Sequence, residues 1–116
     1  MIWLWLSAAI MVWTAIYHSY RGEKAVIRPL LDLDAPLMQV PHVHKVVRAA
    51  WHMASYFMAA FAFVVVWPGT PTGLIAVAGA VWLIFGLYLL VGWRGKHKGA
   101  YMLMAAGVFA LIGAAG

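Results

Sequence analysis

Cysteine is absent from this 116-residue chain, and acidic side chains are scarce, with only three Asp and Glu in all. Without cysteine there are no disulfides, no thiolate metal ligands and no redox thiols. The scarcity of charge says more. Asp, Glu, Lys and Arg make up 9% of the chain and apolar types 66%, against roughly 25% charged in soluble proteins. So few charges cannot cover the surface of a soluble domain, so lipid must be part of the solvent. The acids Glu23, Asp32 and Asp34 all fall outside the long apolar runs. The mid-membrane carboxylate with which small multidrug exporters exchange protons for cations is therefore missing. So is the midplane binding site expected of a secondary transporter.

Four apolar runs are present, over about residues 2–20, 46–67, 73–93 and 99–115. Each is near the ~20 residues needed to cross ~30 Å of hydrocarbon at ~1.5 Å per residue. Backbone groups in lipid must be satisfied within their own segment, so these runs are expected to be helices. The fold class is all-α: a single four-span domain, an integral membrane antiparallel four-helix bundle. The first run lacks a basic leader and an A-x-A cleavage pattern, and Arg21 and Lys24 follow it directly. It is read as a retained span.

Charge placement orients the bundle. Arg21, Lys24, Arg28, Lys45 and Arg48 lie between or beside spans one and two, and Arg94, Lys96 and Lys98 lie between spans three and four. The WPGTPTG turn between spans two and three has no charged side chain. All eight basic residues thus fall on one side, which is cytoplasmic by the positive-inside rule, and both termini are periplasmic. The localisation expected is the bacterial inner membrane. The net charge of +5 is therefore a topology signal and does not indicate a nucleic-acid partner. Trp3, Trp5 and Trp67 would mark the outer interface, and Tyr20 and Trp93 the inner one.

The long link after span one reads as an amphipathic surface segment. Ala25, Val26, Ile27, Leu30, Leu31 and Leu33 would lie in the headgroup layer, with Lys24, Arg28, Asp32 and Asp34 in water. Pro29, Pro36 and Pro41 are expected to prevent one long helix there. Gly79 and Gly86, and the ladder Ala106, Ala110 and Ala114, are small residues on shared helix faces that permit close helix approach. Packing within the chain is the first reading of them, and a homodimer seam the second.

The polar residues gather at the cytoplasmic end. His18 closes span one, and Gly22 would let the chain turn back so that Glu23 folds over the bundle end. On span two, His44, Arg48, His52 and Tyr56 are spaced four apart, so they drift slowly around one face. Imidazoles with a carboxylate suit zinc, iron or copper, which makes His18, Glu23, His44 and His52 candidate metal ligands. Ser19, Arg48 and Tyr56 would support them. Haem b is a separate possibility, with His18 and His52 as axial ligands.

The pattern resembles a set of short four-span bacterial inner-membrane proteins. These carry His-Ser-x-x-Gly-Glu at the end of span one and Trp-His inside span two. The matching residues here are His18, Ser19, Gly22, Glu23, Trp51 and His52. The resemblance covers the first half of the chain. It implies the four-span architecture and a shared polar constellation, and names no activity. The leading expectation is a non-enzymatic membrane protein that binds a transition metal or small ligand in this pocket, with membrane lipids as neighbours. Next comes an accessory subunit of a larger membrane complex, or a homodimer, in which the polar residues only join helices. An enzyme doing acid–base work on a lipid headgroup with His18 and Glu23 is third.

Overall fold

Proline and glycine set the ends of the long helices. A computed structural model describes all 116 residues and contains helices and turns only. The long helices are α1 (Ile2–Gly22), α3 (Pro41–Val66), α4 (Thr72–Gly92) and α5 (Lys98–Ala115), and the short α2 (Arg28–Leu31) follows α1. Pro41 opens α3 behind the extended Val40, where its missing N–H is not needed. Trp67 is forced into extended backbone by Pro68 and ends α3. Gly69 (φ 89°) makes the turn before α4, and Arg94 (φ 52°) and Gly95 (φ 77°) make the turn before α5.

Four helices are long and apolar enough to cross a membrane. Only 21 of 116 residues are buried, while Trp5, Trp13, Phe57, Phe63, Ile84, Phe85 and Val91 are exposed. A water-soluble monomer does not present that much aliphatic and aromatic surface. This is a multi-pass membrane protein.

Span one differs from expectation. The chain does not turn at Gly22, which has ordinary helical angles. Helix instead continues to Leu31, giving 30 residues without a break. Pro29 sits inside this helix, and a wide π turn over Glu23–Ile27 accommodates it. Pro29 has no N–H to donate, and in a tight turn its ring would crowd the carbonyl four residues back. The wide turn removes that crowding. Ile27 and Leu31, four apart, are buried, while Lys24, Val26, Arg28, Asp32 and Leu33 are exposed. The link is thus amphipathic, but its first part is a rigid extension of span one. Helix α3 also begins at Pro41, before the apolar run, because nothing in His42–Lys45 interrupts it.

Side-chain contacts define the neighbours. Helix α1 runs antiparallel to α3, with His18 against Trp51 and Glu23 against Arg48. It also runs antiparallel to α5, with Trp3 stacked on Phe109 at 5.6 Å and Ser7 donating to the Ala106 carbonyl at 2.7 Å. Helices α4 and α5 pair closely through glycine. A Cβ on Gly79 would stand 3.0 Å from the Gly107 carbonyl, and one on Gly86 would stand 2.5 Å from Met104 Cγ. Both expected glycines therefore face another helix. Ala106 and Ala110 are fully buried and Ala114 partly so, so that ladder serves contacts within the chain.

The spatial order is α3, α1, α5, α4. Helices α3 and α4 are joined by a tight turn yet barely touch, chiefly where Phe61 meets Trp82 edge-on at 6.2 Å. One apolar core, of Ala8, Met11, Ala62, Val65, Ala78, Trp82 and Ala106, draws on all four long helices. It lies toward the end that carries both termini. The opposite end belongs to α1 and α3, which run on beyond the shorter α4–α5 hairpin.

Candidate functional site: a histidine–serine chain between α1 and α3

The extended ends of α1 and α3 hold most of the side-chain hydrogen bonds. Helical spacing presents His18, Ser19 and Gly22 to α3, and Arg48, Trp51, His52 and Ser55 to α1. His18 Nδ1 lies 2.8 Å from Ser55 Oγ, Ser55 Oγ lies 2.6 Å from Ser19 Oγ, and Ser19 Oγ lies 2.8 Å from His52 Nδ1. The other nitrogen of His52, Nε2, is 3.4 Å from Glu23 Oε1. Arg48 donates from Nε to Glu23 Oε1 at 2.8 Å and from Nη2 to Oε2 at 3.0 Å. This two-pronged pairing fits a carboxylate. Two imidazoles are thereby joined through two hydroxyls, and the second is joined to an ion pair.

The π turn contributes to the ion pair. In a regular α-helix, residues five apart point ~140° apart at ~100° per residue. The wide turn brings Arg28 round to the side of Glu23, with Nε 3.8 Å from Oε2.

Trp51 braces the chain from behind. Its ring stacks on His18 with centroids 4.5 Å apart and planes 8° from parallel, and its Nε1–H donates to the His18 carbonyl at 2.9 Å. A Cβ on Gly22 would fall inside the Trp51 indole. The glycine is needed for close approach, not for a turn. His18, Ser19, Gly22, Glu23, Trp51 and His52 thus form one contact cluster.

The four expected metal ligands do not come together. His44 lies a full two turns beyond His52 along α3, and its Nε2–H donates to the Met38 carbonyl at 2.6 Å in the 3₁₀ turn Pro36–Gln39. No three His, Asp or Glu side chains in the chain are gathered closely enough to hold a metal ion. For His18, Glu23 and His52 the reason is that the serine hydroxyls occupy the space between the rings. Of the expected supporting residues, Ser19 and Arg48 are in the cluster and Tyr56 is not. Each four-residue step drifts ~40°, so Tyr56 lies ~120° round α3 from His44, and it is 76% exposed. Ser55, three residues after His52, is the member whose role the sequence did not reveal. Its only sequence signal is a hydroxyl one turn from a histidine inside an apolar span.

Two grooves run along this seam. One, of about 550 Å³, follows α3 past His44, Lys45, Arg48, Ala49, His52, Met53 and Tyr56. The other, of about 480 Å³, lies deeper between α1 and α3, against Ala15, Ile16, Ser19, Tyr20, Ser55 and Ala59. His52 and Tyr56 line both. Both are open grooves with mostly apolar walls, and Lys45 and Arg48 stand at the rim of the first.

Comparison with protein-family models, with curated proteins and with solved structures found no match.

Proposed function

We propose that this chain is a non-enzymatic protein of the bacterial inner membrane, with both termini periplasmic, that binds a single anionic lipid at its cytoplasmic edge. The observation that carries the reading is the pair of grooves sharing His52 and Tyr56. Their walls are mostly apolar, as an acyl chain requires, and Lys45 and Arg48 stand beside them. Lys45, free of the ion pair, and the outer edge of Arg48 meet a phosphate at headgroup depth. Ala15, Ile16, Ala59 and Met53 accept the upper part of an acyl chain. Ser19 and Ser55 lie between, at the depth of the ester carbonyls. Anionic headgroups on the cytoplasmic leaflet attract basic side chains by about 1 kcal/mol each. The basic ends of α1, α3 and the α4–α5 turn supply that attraction on one side of the molecule.

The test is native mass spectrometry of the detergent-purified protein offered phosphatidylglycerol and phosphatidylcholine in equal amounts. Preferential retention of one phosphatidylglycerol, reduced several-fold in Lys45→Gln and in Tyr56→Ala, is the expected result. Equal retention of both lipids would overturn the reading. It would leave the polar cluster as a packing device of an accessory subunit.

A further inference from the structure

The geometry points to a second property of the α1–α3 seam, independent of any lipid: we infer that His18, Ser55, Ser19 and His52 form a proton relay that moves one proton between two imidazoles. Three unbroken hydrogen bonds of 2.8, 2.6 and 2.8 Å connect His18 Nδ1 to His52 Nδ1. A serine hydroxyl donates one hydrogen bond while accepting another. Neither hydroxyl has another acceptor, so each spends its proton within the chain and both donate in the same direction, which leaves two polarities of the whole chain.

In the first polarity His18 carries its proton on Nδ1 and donates to Ser55, Ser55 donates to Ser19, and Ser19 donates to His52 Nδ1. His52 is then neutral, with its proton on Nε2 facing the Glu23 carboxylate. In the second polarity every donor is reversed. His18 accepts at Nδ1 and keeps a proton on Nε2, while His52 donates from Nδ1 to Ser19. Because Nε2 of His52 still faces Glu23, His52 is then an imidazolium.

The two polarities differ by one proton, and the balance is simple. A proton from solvent binds His18 Nε2, and His18 passes its Nδ1 proton to Ser55. Ser55 passes its own to Ser19, and Ser19 passes its own to His52 Nδ1. No bond other than O–H and N–H changes. The charge that enters at His18 appears on His52.

The surroundings suit both ends. His18 is half-buried and its Nε2 makes no hydrogen bond, which leaves that nitrogen free to take up a proton. The arriving charge on His52 is met by Glu23, which Arg48 and Arg28 hold in place. Every hydrogen-bonding and charged partner of the two rings comes from α1, its π-turn extension or α3. Helices α4 and α5 add none. Trp51, stacked flat on His18, keeps its ring from rotating out of line.

Nitrogen-15 NMR of the histidine-labelled full chain in micelles, followed through a pH titration, tests this. The expected result is a single step in which His52 becomes doubly protonated while His18 switches from the Nδ1–H to the Nε2–H tautomer without itself becoming charged. A plain surface histidine ionises and shows no such exchange, and the exposed His42 at the start of α3 serves as the internal reference. In Ser55→Ala the two rings should lose this common step, with His52 still ionising. The wild-type reading stands by itself if that variant does not fold. Independent steps for the two rings, or a His18 that keeps one tautomer throughout, would overturn the relay.

Discussion

Gly22 shows how one residue sets a helix contact. Its backbone is ordinary helix, so glycine is not there for conformational freedom. It is there because the Trp51 indole occupies the volume of a side chain, which lets Trp51 lie flat on His18 and reach the His18 carbonyl. Gly22→Ala is therefore expected to destabilise the protein by about 1–3 kcal/mol, as overpacking of a close contact does. The same change in a Trp51→Ala background should be close to neutral, because the obstructing ring is gone. Thermal unfolding of the four proteins of this cycle in detergent measures both. A loss from Gly22→Ala that persists unchanged without Trp51 would show that contact with the indole is not responsible, since alanine is the better helix former. At this scale His18, Glu23 and His52 were legible as neighbours, since matched depth along two antiparallel helices follows from counting residues. Which nitrogen meets which oxygen was not legible, because it depends on how far each helix is rotated about its own axis.

Among the elements, α4 and α5 form the tightest pair, and its basis is the removal of side chains. Besides Gly79 and Gly86, Gly107 is in close contact, since a Cβ there would stand 2.6 Å from the Gly79 carbonyl. Without a hydrophobic force between helices in lipid, van der Waals contact at such positions holds the pair together. Gly86→Leu and Gly107→Leu are each expected to lower stability by about 3 kcal/mol or more, at or beyond the top of the usual range for overpacking. Gly73→Leu, where nothing stands within 4 Å, should leave it nearly unchanged. Equal unfolding temperatures for all three variants would contradict the pairing. Helix α1 teaches the opposite lesson. The end of the apolar run and Gly22 suggested that span one would stop near Tyr20, yet helix runs to Leu31 through a π turn. Local breakers are overridden there because Ile27 and Leu31 gain burial and the wide turn removes the clash at Pro29.

For the whole molecule, the eight Lys and Arg gather at the end opposite the termini, and the antiparallel pairings of α1 with α5 and α5 with α4 require it. Both termini are therefore expected in the periplasm. A reporter that works only in the periplasm should be active when fused after Gly116, and one that works only in the cytoplasm should be silent. The reverse pattern would invert the assignment, and with it the leaflet of the proposed lipid.

Hydropathy is a sum along the chain, so sequence alone determined that there are four spans, where each begins and ends except at the link between the first two, and that charge collects at one end. It also placed histidines, serines and a carboxylate at one depth, because depth is only residue number times rise. The order of the helices in space was decided by tertiary structure, since it depends on which small residues face which. That is why α3 packs on α1 and hardly on α4, its neighbour in sequence. The composition of the site was decided the same way. Rotation of α3 turned Ser55 inward and Tyr56 outward, and the returning loop offered His44 a carbonyl. The π turn carried Arg28 to Glu23. Such choices rest on pairwise fit between surfaces far apart in sequence, and no count along one strand of residues contains that fit.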